Sequence, residues 1–249
     1  MQRTALERGE RRAGGRTFTE VRLVSDSGVN PLSSGTVAEL RELMRTQATR
    51  ADRHGLFLRA QGRSFCAGAD VKEFRTFGTE DFRGYMDGIM ALYAEMLQFP
   101  QPIVSLVHAD ALGGGAALAF FSDLVIAVRG AKLGLPEVHR GLAGGGYLMP
   151  RLLGKQRAAE MVLLGRSLDA DAALRLGLVT EVCEADALEA RAQAMAEELA
   201  ALAPEGLAVA KASLAAGLSL DLLPAMQAHV RAQTEAFVRG RERAAAGTP

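Results

Sequence analysis

Apolar positions along the chain fall into short runs separated by polar or glycine-rich breaks, and their period changes from run to run. Phe18 to Val24 alternates, which predicts a strand. From Ser33 onward Val37, Leu40, Leu43 and Met44 recur at helical spacing, with Glu42 and Arg45 on the polar side. Leu56, Phe57 and Leu58 read as a short buried strand after Gly55. Tyr85, Ile89, Leu92, Tyr93 and Met96 mark one face of a helix from about Phe82 to Leu97, which Phe99-Pro100 stops. Ile103 to Val107 and Leu124 to Val128 predict two more buried strands, with the helix-compatible run Ala116 to Ser122 between them. Lys155 to Leu164 predicts a helix closed by Gly165. Asp169 suits the N-cap of the next helix and Gly177 its C-terminal end. Leu178, Val179 and Val182 predict a strand. From Asp186 the chain turns to alanine-rich helix, with Leu188, Met195, Leu199 and Leu202 on one face up to Pro204. Met226, Val230 and Phe237 repeat that pattern between Pro224 and Arg239.

Strands alternating with helices predict an α/β fold with a C-terminal helical region. Residues 1–16 carry many arginines, a Gly-Gly pair and little apolar content, and are expected to be a flexible, solvated arm. Residues 17–185 form the expected core. Residues 186–249 have little room for a core of their own, so they are expected to pack on the main domain or on another subunit, as an oligomerisation region.

The 249 residues, 49% of them hydrophobic, allow one large domain with a substantial core. Lys+Arg and Asp+Glu are both 29, so no global field favours nucleic acid or an acidic membrane surface. Cys66 and Cys183 make neither a disulfide framework nor a metal cluster. The start of the chain lacks the apolar core of a signal peptide, and the apolar stretch Gly113 to Phe121 is too short to span a bilayer. These features predict a soluble cytoplasmic protein with no membrane or nucleic-acid partner.

Candidate chemistry centres on Pro102 to Gly146. A strand feeds the glycines Gly113 to Gly115 and then a helix, which aims unpaired backbone N–H groups at one point. Such a point can hold a phosphate or an oxygen that becomes negative during a reaction. The dinucleotide pattern G-x-G-x-x-G is broken at Leu118, where its third glycine belongs. A second small-residue turn, GRSFCAGADVKEF from Gly62 to Phe74, also follows a strand and precedes a helix-like run. Backbone donors from two such turns can converge on one oxygen. Glu137, after Pro136, is the candidate acid: apolar and glycine neighbours would raise its pKa toward the range useful for proton transfer. Asp70 and Lys72 read as charges at a helix start, Asp123 as structural, and Cys66 as buried and inert. His54, His108, His139 and His229 form no metal spacing, and His139 near Glu137 reads as a loop histidine. No G-x-S-x-G elbow supports a serine hydrolase.

Three segments together resemble the crotonase superfamily, the enoyl-CoA hydratase/isomerase family. They are SFCAGADVKEF, PIVSLVHADALGGGAALAFFSDLVIA and AKLGLPEVHRGLAGGGYLMPRLLG, supported by EMVLLGRSLDADAALRLGLVTEV and by VNPLS at Val29 to Ser33. The resemblance implies a spiral of repeated ββα turns whose C-terminal helices make trimers, often paired into hexamers. It implies an acyl-CoA thioester substrate, the coenzyme A being part of that substrate and no further cofactor being needed. By position, Ala69 and Gly114 supply the two N–H groups of the oxyanion hole. Ala67, Asp70, Val71 and Lys72 then border the coenzyme, and Gly145 joins this substrate-binding set. Hydratases of the family carry two glutamates. Glu137 matches one, and Ala117 stands where the other belongs. That pattern fits proton transfer by one carboxylate, as in a Δ3-Δ2-enoyl-CoA isomerase. A hydratase or dehydratase, on coenzyme A or an acyl-carrier protein, is the alternative. From another class, an inactive scaffold or RNA-binding relative is the alternative that both retained turns and Glu137 argue against. The short N-terminal region and the turn at Ser25 to Gly28 depart from the family's opening hairpin.

Overall fold

The computed structural model describes residues 4–245. The chain opens with a hairpin: β1 (Ala5–Ala13) pairs antiparallel with β2 (Arg16–Val24), and Ala13 lies opposite Arg16. Gly14 and Gly15 between them have φ of 53° and 75°, the left-handed pair that a two-residue type I′ turn requires. Residues 5–13 are therefore a paired strand, which corrects the expected flexible arm and the expected departure from an opening hairpin. One of the arginines that suggested a solvated arm has distant partners. Arg11 is buried, donates to the Glu20 carboxylate at 2.7 Å and meets Glu189 at 2.7 Å. Its guanidinium also lies 5.1 Å from the Phe57 ring centre.

Ser33 caps α1 (Ser34–Ala48) by accepting the Thr36 N–H, and the predicted face of Val37, Leu40, Leu43 and Met44 is buried. The chain returns as β3 (Leu56–Ala60), parallel to β2. The first glycine turn is followed by a short 3-10 turn, Glu73–Thr76, and only then by α2 (Thr79–Leu97). Asp70 is used within its own turn, whereas Glu73 reaches back to the first residue of α1. Asp70 accepts the Lys72 N–H at 3.1 Å, and buried Glu73 accepts the Ser34 N–H at 2.8 Å.

The next circuits repeat one plan. β4 (Ile103–Val107) is followed by the short β5 (Ala111–Leu112) and α3 (Gly114–Phe120). Then β6 (Leu124–Val128) and β7 (Lys132–Gly134) lead to α4 (Met149–Leu153) and α5 (Lys155–Leu164). β8 (Ser167–Asp169), α6 (Ala170–Arg175) and β9 (Glu181–Cys183) complete the core. Asp169 caps α6 as expected, accepting the Ala172 N–H at 2.7 Å. Leu178 and Val179 are buried ahead of β9 rather than in it.

A six-stranded sheet runs β1-β2-β3-β4-β6-β9, parallel except for β1. A second sheet, β5-β7-β8, is extended by the bridges Leu32–Ala69 and Cys66–Ala111. Each circuit thus lays a long strand in the first sheet and a short segment in the second before a helix returns the chain. This is the expected spiral of ββα turns. The long strands are apolar on both faces, as buried parallel strands are. Leu56, Leu58, Ile103, Val107, Val125 and Ala127 face the core shared with α1, α2 and α3. Phe57, Val104, Leu106 and Ile126 face Ala192, Met195, Ala196 and Leu199 of α7 (Leu188–Ala200). The apolar stripe of α7 is therefore used within the chain, which corrects its assignment to assembly. Only Leu202 of that series stays exposed.

α8 (Pro204–Ser219) and α9 (Leu222–Ala245) pack against each other. Buried Lys211 ties α8 to the core, donating to the Asp123 carboxylate at 2.7 Å and to the Gln101 carbonyl at 3.0 Å. The same carboxylate accepts the Ile103 N–H at 2.7 Å, so Asp123 is structural, as expected. Asp123 itself reaches solvent, so removing Lys211 leaves no buried unpaired carboxylate and costs about 1.5–3 kcal/mol, the worth of hydrogen bonds to a charged group. Lys211→Ala is therefore expected to lower the urea unfolding free energy by about that amount. A loss under about 1 kcal/mol would contradict this anchoring role.

Candidate active site

The two small-residue turns meet. Leu32 pins the first: its N–H donates to the Gly68 carbonyl at 2.8 Å and its carbonyl accepts the Asp70 N–H at 3.0 Å. The N–H of Ala69, between those two groups, is left unused. In the second turn the Gly113 N–H donates to the Gly134 carbonyl at 2.8 Å. Gly114 opens α3, so its N–H has no acceptor within the helix. Neither the Ala69 nor the Gly114 N–H has an acceptor among the described residues. The approach of the turns depends on missing side chains. A Cβ on Gly68 would lie 2.8 Å from the Leu112 carbonyl oxygen and 3.2 Å from the Gly114 nitrogen, and one on Gly115 would overlap the Cys66 carbonyl. Gly68 and Gly113 also have φ of 86° and 55°, which glycine adopts without a steric penalty. Two unused donors from touching turns form the arrangement that stabilises a developing oxyanion.

Both residues line one cavity of about 610 Å³. Ala67, Asp70, Val71, Lys72, Glu137 and Gly145 line it too, so every site residue expected from the sequence is brought to the same place. Ala67, Val71 and Lys72 are exposed, whereas Asp70 and Gly145 are buried. Much of the remaining wall is apolar, with Met86, Ile89 and Met90 from α2 and Leu135 and Leu142 from the opposite side.

Glu137 sits on the 3-10 turn Pro136–Arg140, which follows β7 directly. Its carboxylate lies against both glycine segments: a Cβ on Gly113 would be 3.1 Å from Oε1, and one on Gly144 would overlap it. Oε2 is shut off from solvent and accepts no hydrogen bond from a described residue. Burial therefore pushes the Glu137 pKa up. Such a carboxylate, held beside two unused donors, is equipped to take and return a proton. Ala117, buried on α3, presents only a methyl group to the same cavity.

Two further sequence readings agree with the structure. His139 is exposed and its ring lies over Gly165, outside the cavity lining. Cys66 is buried and its thiol is pushed up to about 12 by desolvation, which leaves it inert. Other residues escaped the sequence reading. Tyr85 and Tyr93 read as members of one core face, yet both also line the cavity. Tyr147 lines it as well, and burial together with the nearby Glu137 charge pushes its phenol up to about 12. Asn30 has φ of 50° and donates to the Gln61 and Ser64 carbonyls at 2.8 and 2.9 Å, which anchors the loop that leads into the first turn. Its positive φ has no counterpart in the hydrophobic pattern.

The enoyl-CoA hydratase/isomerase family model matches residues 15–245. A probable enoyl-CoA hydratase of Bacillus subtilis (strain 168) is 35% identical over 197 residues, 77% of this chain and 76% of that protein. An enoyl-CoA isomerase/hydratase, fer4, of Mycosarcoma maydis is 34% identical over 171 residues, 67% of this chain and 62% of that protein. Among solved structures, the enoyl-CoA hydratase from Bacillus anthracis superposes with a TM-score of 0.86 at 28% identity, covering 98% of this chain and 96% of that one. Among the described residues no single helix is long and apolar enough to cross a membrane.

The raised Glu137 pKa has a signed consequence for stability. A carboxyl whose folded pKa exceeds its unfolded value, about 4.3, binds its proton more tightly in the fold. Its contribution is most favourable below the unfolded pKa and is lost as pH rises through the folded pKa. Glu137→Gln is therefore expected to match the parent near pH 4 and to melt higher than it at pH 7. Calorimetry at the two pH values checks this, and a stability difference that shifts toward the parent as pH rises would contradict it.

Proposed function

The chain belongs to the enoyl-CoA hydratase/isomerase family, and from that premise we propose that it moves the double bond of a 3-enoyl thioester to the 2-position, with Glu137 as the single proton carrier. The observation that supports this reading is the half-buried Glu137, whose Oε2 is shut off from solvent and has no hydrogen-bond partner among the described residues, in a cavity to which Ala117 adds only a methyl. The thioester oxygen accepts the Ala69 and Gly114 N–H groups. The carboxylate removes a proton from C2, and the negative charge spreads onto that oxygen as a dienolate, which the two donors stabilise. The same carboxyl returns the proton at C4. No water enters the balance, and the apolar walls around Ala117 keep water away from the dienolate.

Hydration is the second reading, favoured by the hydratase naming of the Bacillus subtilis relative. It needs a group besides Glu137 to hold the water, and Tyr147, which lines the same cavity, is the candidate. Either reaction uses a thioester of coenzyme A or of an acyl-carrier protein, and the chemistry asks for no further cofactor. The two free, buried cysteines suit a reducing compartment, for which we take the cytoplasm. We further propose that α9 mediates assembly into a homotrimer or a pair of trimers. Its Met226, Val230 and Phe237 are 56, 62 and 66% exposed, an apolar face that nothing in the described chain covers.

Progress curves on 3-hexenoyl-CoA and crotonyl-CoA decide between the reactions. Isomerisation is expected to be the faster, Glu137→Gln to lower it by ~10²–10⁴-fold, and Ala117→Glu to raise hydration relative to isomerisation. Brisk hydration of crotonyl-CoA with the 3-enoyl thioester ignored would overturn the isomerase reading. Full activity of Glu137→Gln would remove the assignment of the proton carrier. Light scattering tests the assembly, where a well-behaved monomer at micromolar concentration would contradict the role given to α9.

A further inference from the structure

One face of α2 reaches both glycine turns. The Tyr85 hydroxyl donates to the Leu32 carbonyl at 3.1 Å, and the Tyr93 hydroxyl donates to the Gly114 carbonyl at 3.1 Å. Leu32 is the residue whose N–H and carbonyl bracket Ala69 in the first turn. Gly114 is itself the second donor residue. Between the two tyrosines, Ile89 completes the contact. A Cβ built on Gly114 would lie 3.2 Å from each of Ile89 Cδ1, Leu32 Cδ1 and the Tyr93 hydroxyl. Residues 85, 89 and 93 follow one another at about one helical turn each, so the Tyr85 and Tyr93 Cα atoms are about 12 Å apart along the axis.

We propose that Tyr85 and Tyr93 are the positioning residues of the oxyanion hole: α2 acts as a ruler whose two phenol groups fix the separation and aim of the Ala69 and Gly114 N–H donors. This rests on the functional reading above, which makes those N–H groups the hole. Three observations point to positioning rather than to ordinary core packing. First, each tyrosine hydroxyl goes to backbone that holds a donor: Leu32, which pairs with the Ala69 turn, and Gly114, a donor residue itself. Second, the Leu32 carbonyl already accepts the Asp70 N–H, so the Tyr85 hydroxyl adds a second, orienting bond rather than rescuing an orphan acceptor. Third, Tyr93 is itself held against rotation. Its ring stacks on Phe121 at 4.8 Å and 7°, and Phe121 follows α3 directly. The hydroxyl that orients the start of α3 thus belongs to a ring clamped at the end of the same helix.

The alternative is that the two hydroxyls only satisfy themselves in the core. The two roles separate by experiment, because a hole that is slightly misaimed polarises the thioester carbonyl less, whereas a loosened core does not by itself change that polarisation. The probe is butyryl-CoA labelled with ¹³C at its carbonyl, read by isotope-edited infrared difference spectra when bound to the full chain. The parent protein is expected to shift the carbonyl stretch down on binding, and Glu137→Gln is expected to keep that shift, since it leaves the hole intact. Tyr85→Phe and Tyr93→Phe, which remove one oxygen each, are expected to reduce the shift. They are also expected to lower kcat on 3-hexenoyl-CoA about tenfold, with KM within about twofold, because ångström-scale misplacement weakens transition-state contacts more than ground-state binding. Variants that keep both the full shift and the full kcat overturn the proposal. So do variants that melt lower or fail to fold while any folded fraction keeps the shift, which would place the hydroxyls in the core alone. No shift in the parent protein would instead overturn the oxyanion reading itself, and the positioning role with it.

Discussion

The site depends on a close contact between two stretches of bare backbone. Gly68 lies against Leu112, Gly113 and Gly114, and Gly115 lies against the Cys66 carbonyl, at distances that exclude any Cβ. This contact decides what the site is made of. Where backbone meets backbone so closely, side chains cannot supply the polar groups, and the donors that remain are the amides of Ala69 and Gly114. Both are left unused by their own turns, because Leu32 takes the groups on either side of Ala69 and because helix α3 begins at Gly114. Backbone donors held in this way have little freedom to reorganise when charge appears on a bound oxygen, and that rigidity is the source of their advantage over water.

Glu137 obeys the complementary constraint. The same absence of side chains at Gly113 and Gly144 lets its carboxylate approach the turns. Its Oε2 then has neither solvent nor a hydrogen-bond donor among the described residues. A structural carboxylate in this chain is treated differently. Buried Glu73 accepts the Ser34 N–H, and Asp123 accepts from both Lys211 and Ile103. Against that background a carboxylate with one oxygen buried and unpartnered in a largely apolar cavity is the kind of group that marks a candidate functional site.

The fold class was legible in the sequence, and so were the two glycine turns and the Pro-Glu pair, which are local signals; the choice of Ala69 and Gly114 within those turns came from the family resemblance. The first residues were misread because the evidence for their order is not local. Gly14-Gly15 between two arginine-rich segments looks like a linker, and only the pairing of β1 with β2 turns it into a hairpin. The charge on Arg11 is balanced by Glu20 in β2 and by Glu189 in α7. The α7 stripe was left between the main domain and another subunit for the same reason. Its target, the second face of the parallel sheet, is assembled from Phe57, Val104, Leu106 and Ile126 on three separate strands. Tyr85 and Tyr93 were legible as a helix face, but not as hydrogen-bond donors to two distant loops.

The order of these distant pieces follows from the second, smaller sheet. Its row of pairings runs through Leu32 with Ala69, Cys66 with Ala111, and then β5 with β7 and β7 with β8. The first bridge fixes the Ala69 turn. β5 carries the chain into Gly113, whose N–H binds the carbonyl of Gly134 at the end of β7. β7 in turn hands the chain to Leu135, Pro136 and Glu137. Donors and acid are therefore set by one register rather than by three independent loops. A slip of one residue between β5 and β7 would turn the alternation over and carry Glu137 away from Gly113. The long strands of the first sheet supply the buried area that holds the chain together, and the short strands of the second convert that stability into the relative positions of a carboxylate and two amides.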